Sequence, residues 1–270
     1  MKDITLGQYF PGNSPVHRLD PRTKLLLMIA YIVLIFLIKD ELALFIVPLV
    51  FVVLSIALSR VPFSYAIRSL KPIRFLVTFM FIINLFMIRT GNLLVNWWII
   101  KITDEALERA IFFTVRIVLL LMGTSLMTLT TTPISLTDGL EKLLSPLKVI
   151  KFPAHELAMM MTLALAMIPI FIVEADKIMK AQMARGADIE SGNIIRRIKA
   201  MIPILIPLFI SAFRRADELA MAMESRCYHG GEGRTRMRVL KLTWGDAVAA
   251  LTVALAMGII ITLQALLIRN

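Results

Sequence analysis

The chain has 270 residues, 58% of them hydrophobic, with a mean hydropathy of +0.79; this excludes an ordinary soluble domain and places it among integral membrane proteins. Its net charge of +11 points to basic cytoplasmic loops rather than nucleic acid, because the cations are scattered among apolar runs and no nucleic-acid module is present. A single cysteine, Cys227, excludes an intrachain disulfide and a thiolate metal cluster.

Residues 1–24, MKDITLGQYFPGNSPVHRLDPRTK, are polar and turn-rich and lack the short apolar core and cleavage site of a signal peptide. Asp20 is placed to cap the first helix with Pro21 at its first position, while Arg18, Arg22 and Lys24 hold that end inside. Apolar runs follow at Leu25–Ile38, Leu42–Leu58, Phe75–Ile88, Ile117–Thr132, Leu157–Val173 and Ala247–Ile268. About 20 helical residues cross ~30 Å of hydrocarbon, a few fewer where flanking side chains snorkel. Only Lys39, beside Asp40 and Glu41, separates the first two runs, whereas Arg60, Arg68, Lys71 and Arg74 lie between the second and third. The positive-inside rule therefore puts the N-terminus and the 59–74 loop in the cytoplasm, and residues 90–109 outside with Trp97 and Trp98 at the interface. Thr103 is the expected cap of the fourth span, Asp104 and Glu105 suit its positive end, and Arg116 is expected to snorkel near the outer surface.

Beyond the fourth span this alternation fails. Were Leu157–Val173 and Ala200–Phe213 both to cross, residues 174–199 would lie outside, yet they carry Lys177, Lys180, Arg185, Arg196, Arg197 and Lys199. Residues 214–241 are as basic, so both segments prefer the cytoplasm. The conflict is resolved if neither middle segment fully spans. Their helices, kinked or broken at Pro169, Pro203 and Pro207, then run along or obliquely into the inner leaflet as a platform. Ahead of it, SLTDGLEKLLSPLK (135–148) reads as an amphipathic helix opened by Ser135 and Asp138, suited to the bilayer surface or to a partner. Ala247–Ile268 crosses last. The expected fold is an all-α integral membrane protein with about five transmembrane helices and a cytoplasmic-side domain of long helices.

Within the platform one arrangement is used twice. ADKIMKAQMARGA (175–187) aligns with ADELAMAMESRCY (216–228) at an offset of 41, matching Ala175 to Ala216, Asp176 to Asp217, Ala181 to Ala222 and Arg185 to Arg226. Upstream, IPIFI (168–172) resembles IPLFI (206–210) at an offset of 38, so the second copy holds three more residues, close to one helical turn. In each copy an alanine lies four residues, one turn, before the arginine on the same face. Gly186 is a natural C′ residue, which puts Arg185 in the last turn of its helix; Cys227 stands at the equivalent place, and the second stop is less sharply marked. One such arginine could simply cap its own helix and mark the inner face. Two aligned copies favour a paired docking device with two similar receptor sites, each arginine forming a forked bond to a carboxylate.

These motifs resemble those of the T component (EcfT, CbiQ-like) of energy-coupling factor transporters. The family's two short X-Arg-X motifs match Ala184-Arg185-Gly186 and Ser225-Arg226-Cys227, with Ser225 and Cys227 as mild departures, and LGQYFPGNSPVHRLDPRTKLL (6–26) is similar to its opening. The resemblance implies an N-terminal membrane part over 1–132 and a coupling domain over 133–241 carrying two arginine-tipped helices. A final transmembrane helix would occupy 242–270. It further implies two ABC ATPase subunits, each receiving one tip, and a membrane-embedded substrate-binding S component. The function implied is a scaffold of an importer for vitamins or transition-metal ions in the cell membrane of a prokaryote, with no catalytic residue, cofactor or metal of its own. ATP and Mg would be used by the partner ATPases.

Methionines at 159, 160, 161 and 167 lie on the platform; each suits ordinary packing, and Met159, Met160, Met161 and Met167 together would give an adaptable surface for the S component. Two other classes compete. An enzyme would need a nucleotide loop or a metal-protease motif, and the chain has neither. A self-contained secondary transporter of a small solute would place ionisable groups at mid-span, where the clear runs offer little beyond Asn84. His17, His155 and His229 are too scattered to form a metal set.

Overall fold

The structure is a computed structural model that describes residues 9–39, 41–88, 90, 93–97, 100–187, 193–230 and 240–269. The described residues are helical apart from one small hairpin. Helix α1 runs Pro21–Leu37, a 3-10 turn Leu42–Phe45 leads into α2 (Ile46–Ser59), and α3 (Phe63–Arg68) and α4 (Arg74–Met87) follow. Strands β1 (Leu93–Trp97) and β2 (Ile100–Thr103) pair antiparallel, then α5 (Asp104–Thr130) and α6 (Pro133–Leu144) return. A second 3-10 turn, Ser145–Ile150, precedes α7 (Ala154–Ala184), α8 (Ile194–Glu224) and α9 (Trp244–Arg269). Two compact units result: Met1–Lys142 with Val239–Asn270, and Leu143–Arg238.

Local chemistry explains the helix starts. Asp20 accepts the Arg22 amide at 2.9 Å with Pro21 at the first helical position, as the sequence leads one to expect. Thr103 accepts the Ala106 amide at 3.3 Å, and Asp104 and Glu105 occupy the first turn of α5. The start of α6 differs from expectation. Thr132 is the cap, its Oγ1 accepting the Ser135 amide at 3.3 Å, and Pro133 rather than Ser135 opens the helix. A threonine directly before a proline outcompetes a serine two residues inside, because the proline lacks the N–H that a helix start leaves unpaired.

Among the described residues, four helices are long and apolar enough to cross a bilayer by length and composition: Leu42–Ser59, Asp104–Thr130, Ala154–Ala184 and Trp244–Leu266. The third of these, α7, is one continuous helix of 31 residues, about 46 Å long. Conversely, α4 has only 14 residues, about 21 Å, and falls short of a full span by itself. The core of the first unit gathers on α1, α2, α5 and α9, where Ile35, Val52, Leu119 and Ile260 are fully buried. Tyr31 lies so close to Gly123 that a Cβ there would sit 2.2 Å from its ring. Its hydroxyl donates to the Leu119 carbonyl at 2.8 Å.

Two charged residues expected at the membrane faces are instead internal fastenings. Arg116 donates to the carbonyl of Ile38, the C-cap of α1, and its guanidinium stacks 4.5 Å from the Phe112 ring centroid. Lys24 is only 7% exposed. Its ammonium donates to Thr130 O (2.9 Å), Thr131 Oγ1 (3.1 Å) and His17 O (3.3 Å), joining the start of α1 to the end of α5. Beside it, Asp246 in the first turn of α9 accepts the Asp20 amide at 2.8 Å and both the amide and hydroxyl of Thr243, at 2.7 and 2.8 Å. The Asp246 carboxylate thus reaches back to the residue before α9 and at the same time grips the start of α1. His17 fastens the preceding turn: Nε2 donates to Phe10 O at 3.0 Å, which leaves Nδ1 to accept the Ser14 hydroxyl at 2.7 Å.

Candidate functional site

In the second unit α7 and α8 each have 31 residues and pack antiparallel. Gln182, near the end of α7, donates to the carbonyl of Pro203 in the first half of α8 at 3.3 Å. At the other end the Tyr228 hydroxyl donates to Met159 Sδ at 3.0 Å, and Thr162 and Leu163 share a cleft with Leu219 and Met223. Each arginine is therefore carried at a C-terminus, and the two termini lie at opposite ends of the pair. The prolines do not break these helices, contrary to one expectation: α7 continues through Pro169 and α8 through Pro203 and Pro207. Pro207 deprives the Pro203 carbonyl of its intrahelical donor, and this is the carbonyl that Gln182 supplies.

Both helix ends are closed by the same pair of backbone bonds. In α7 the Ala187 amide donates to Gln182 O at 3.0 Å and the Gly186 amide to Met183 O at 2.9 Å, with Gly186 at φ 86°. In α8 the Tyr228 amide donates to Met223 O at 3.1 Å and the Cys227 amide to Glu224 O at 2.8 Å, with Cys227 at φ 53°. Each bond of the first end maps onto the second at the offset of 41 read from the sequence. Both are Schellman-type ends in which the arginine immediately precedes the left-handed residue. The second stop is accordingly as sharp as the first, which corrects the expectation drawn from the missing glycine. Cys227 adopts the conformation that glycine would take, and the carbonyl it presents accepts His229 Nδ1–H at 2.8 Å.

The cap geometry lifts both arginines clear of the packed surface. Ala184, Arg185 and Gly186 are exposed, as are Ser225, Arg226 and Cys227. Neither guanidinium has an ion-pair partner among the described residues. Each thus offers an unneutralised forked donor at the negative end of a helix dipole, which suits a carboxylate in a receiving groove. Ser225 turns its hydroxyl back to Ala222 O at 3.0 Å and helps close the last turn.

The methionines divide. Met160 and Met161 are 56% and 46% exposed, whereas Met159 and Met167 are half-buried. Met159 belongs with the second tip, since it lines a cleft of about 750 Å³ together with Arg226, Cys227 and Tyr228. Tyr228 itself escaped sequence reasoning; only its position two residues after the aligned arginine could have drawn attention to it. Among the described residues no group of three His, Cys, Asp or Glu side chains could hold a metal ion.

Comparison with known proteins agrees with the sequence motifs. The family described as CbiQ, cobalt transport protein, matches residues 12–237. The energy-coupling factor transporter transmembrane protein EcfT of Thermosediminibacter oceani is 52% identical over 263 residues, covering 97% of this chain and 98% of that one. The EcfT of Clostridium kluyveri is 54% identical over 252 residues, 93% of each chain. That of Bacillus subtilis is 47% identical over 255 residues, 94% of this chain and 95% of its own. With likeness of this depth along nearly its whole length, and two arginine-capped helices in the matched region, the chain belongs to the EcfT/CbiQ family of energy-coupling factor transporter transmembrane proteins.

Proposed function

We propose that the chain transmits ATP-driven motion from two ABC ATPase subunits to a membrane-embedded S component that binds the substrate, a vitamin or a transition-metal ion. It does so in the cell membrane of a prokaryote, with its N-terminus in the cytoplasm. The observation that carries this reading is the pair of exposed arginine caps built alike on opposite ends of one helix pair. Each ATPase receives one tip, Ala184-Arg185-Gly186 or Ser225-Arg226-Cys227, and binds its guanidinium through a carboxylate. When ATP brings the ATPases together and hydrolysis parts them, force enters at the two opposite ends of the α7–α8 pair and rocks it. The long, continuous helices make that pair a lever; the exposed Met160 and Met161, with Met159 and Met167, offer the S component a surface that can repack as it moves.

Hydrolysis belongs to the ATPases, which also hold ATP and Mg. The test is co-purification with the ATPase subunits, and substrate uptake in vesicles, for Arg185→Glu, Arg226→Glu and the double variant. A charge-assisted hydrogen bond contributes about 1.5–3 kcal/mol, so each single change should weaken ATPase binding by about 10- to 100-fold, and the double change should abolish coupled uptake. Full ATP-driven uptake by the double variant rejects the proposal, and uptake by the chain alone without ATPases would favour a secondary transporter. Replacing Met159, Met160 and Met161 by leucine should weaken S-component binding; unchanged binding and uptake would remove that assignment.

A further inference from the structure

The first unit contains a cavity of about 370 Å³ that the proposed coupling function does not use. Its walls are four helix stripes. From α1 come Lys24, Leu27, Met28 and Tyr31, and from α5 come Gly123, Leu126, Met127 and Thr130. Helix α9 supplies Gly245, Val248, Ala249 and Thr252, while α2 supplies Phe51, Val52, Ser55 and Leu58. Three of the stripes follow the i, i+3, i+4, i+7 spacing of a single helix face. The cavity therefore runs along the helices for about two turns, roughly 10 Å. Pro15, Val16 and Leu19 line it at the end where Lys24 lies.

The lining has little to give a polar ligand. Tyr31 donates to Leu119 O, Thr130 to Leu126 O and Thr252 to Ala249 O, and Lys24 directs its ammonium to Thr130 O, Thr131 Oγ1 and His17 O. Ser55 alone on the lining carries a hydroxyl with no hydrogen bond among the described residues. An apolar, elongated cavity parallel to membrane-crossing helices fits one ligand chemistry above others. We propose that it holds part of a single phospholipid acyl chain, the stretch that fits its roughly 10 Å length, laid between α1, α2, α5 and α9 as a fixed part of the folded first unit. A chain in this place covers Met28, Phe51 and Met127 and stiffens the helix set that carries the Lys24–Asp246 junction.

The test uses the full-length chain in detergent micelles and native mass spectrometry. After a wash that strips surrounding lipid, the parent protein should retain one phospholipid per chain. Ala249→Phe and Ser55→Phe, which fill the cavity from two different walls, should each lose it. Stripping the parent more harshly should lower its melting temperature, while the melting temperature of the filled variants should not respond. A free fatty acid retained in place of a phospholipid, told apart by mass, supports the same acyl-chain site. Retention of detergent only, or of the same lipid by parent and filled variants alike, overturns it. Should the filled variants misfold, Met28→Trp and Leu26→Trp provide a second measurement in vesicles of bromine-labelled phospholipid. On dilution into unlabelled detergent, quenching of the cavity-facing Met28→Trp should persist while that of the exposed Leu26→Trp disappears. Loss at the same rate overturns the proposal.

Discussion

Arg185 and Arg226 owe their exposure to the residue that follows each. A left-handed residue at C′ turns the chain sharply away from the helix axis and leaves the C-cap side chain standing at the corner. Gly186 takes that conformation freely, whereas Cys227 holds it at φ 53° against the steric preference of an L-residue, a cost of about 1–2 kcal/mol. Cys227→Gly should therefore leave the α8 end intact and slow hydrogen exchange at the Tyr228 amide. Gly186→Val should do the reverse at the Ala187 amide, although nothing lies within 4 Å of the position a Cβ would take at Gly186. That contrast separates backbone strain from side-chain crowding. Arg116 is a different kind of arginine, because it satisfies a helix-end carbonyl inside the first unit. Arg116→Met should destabilise the protein by about 1–3 kcal/mol, the cost of a buried acceptor left without its donor, read as a lower melting temperature.

At the scale of the element, the question is how α8 carries two prolines and still acts as a rod. Each proline removes one intrahelical bond and crowds the carbonyl four residues earlier. For Pro207 that carbonyl is Pro203 O, and Gln182 reaches across from α7 to bond it. The same contact fixes the register of α7 against α8 close to the first arginine. Gln182→Leu should cost about 0.5–1.5 kcal/mol, and Pro207→Ala should remove most of that cost by returning an N–H to the helix. A double-mutant cycle on melting temperature or chemical denaturation measures the coupling; additive effects would show that Gln182 contributes nothing through this carbonyl.

For the molecule as a whole, the first unit is drawn together by polar contacts that join residues far apart in sequence. Asp246 bonds Asp20, 226 residues away, and Lys24 bonds Thr130, 106 residues away. Lys24→Met should leave three oxygens without a donor and loosen α1, α5 and α9 together, visible as faster hydrogen exchange at the beginning of α1 and of α9. Lys24→Arg should not rescue it, because a planar guanidinium cannot direct three bonds from one nitrogen in a space built for an ammonium. The exposed tips obey different physics. If two guanidinium–carboxylate contacts hold the ATPases, assembly should weaken as salt rises from about 0.1 M, where the Debye length is about 10 Å, towards 1 M, where it is about 3 Å. Stability of the isolated chain, set by buried contacts, should change far less.

The amino-acid sequence by itself determined the solvent, the helical class and the duplicated arginine. Hydropathy runs, basic flanks and a repeat at a fixed offset are properties of the linear chain, and the caps at Asp20 and Thr103 depend on neighbours within three residues. Tertiary structure decided what depends on partners distant in sequence. Lys24 and Arg116 read as interface cations, yet the first is enclosed by oxygens of a loop and of α5, and the second reaches α1. Pro207, which read as a kink or a break, became tolerable because Gln182 of α7 supplied a donor to the carbonyl it leaves unpaired. Cys227 could take glycine's place because two backbone bonds of the α8 end and the hydrogen bond from His229 hold it there. In each case the local preference was real, and a contact made only in the folded chain outweighed it.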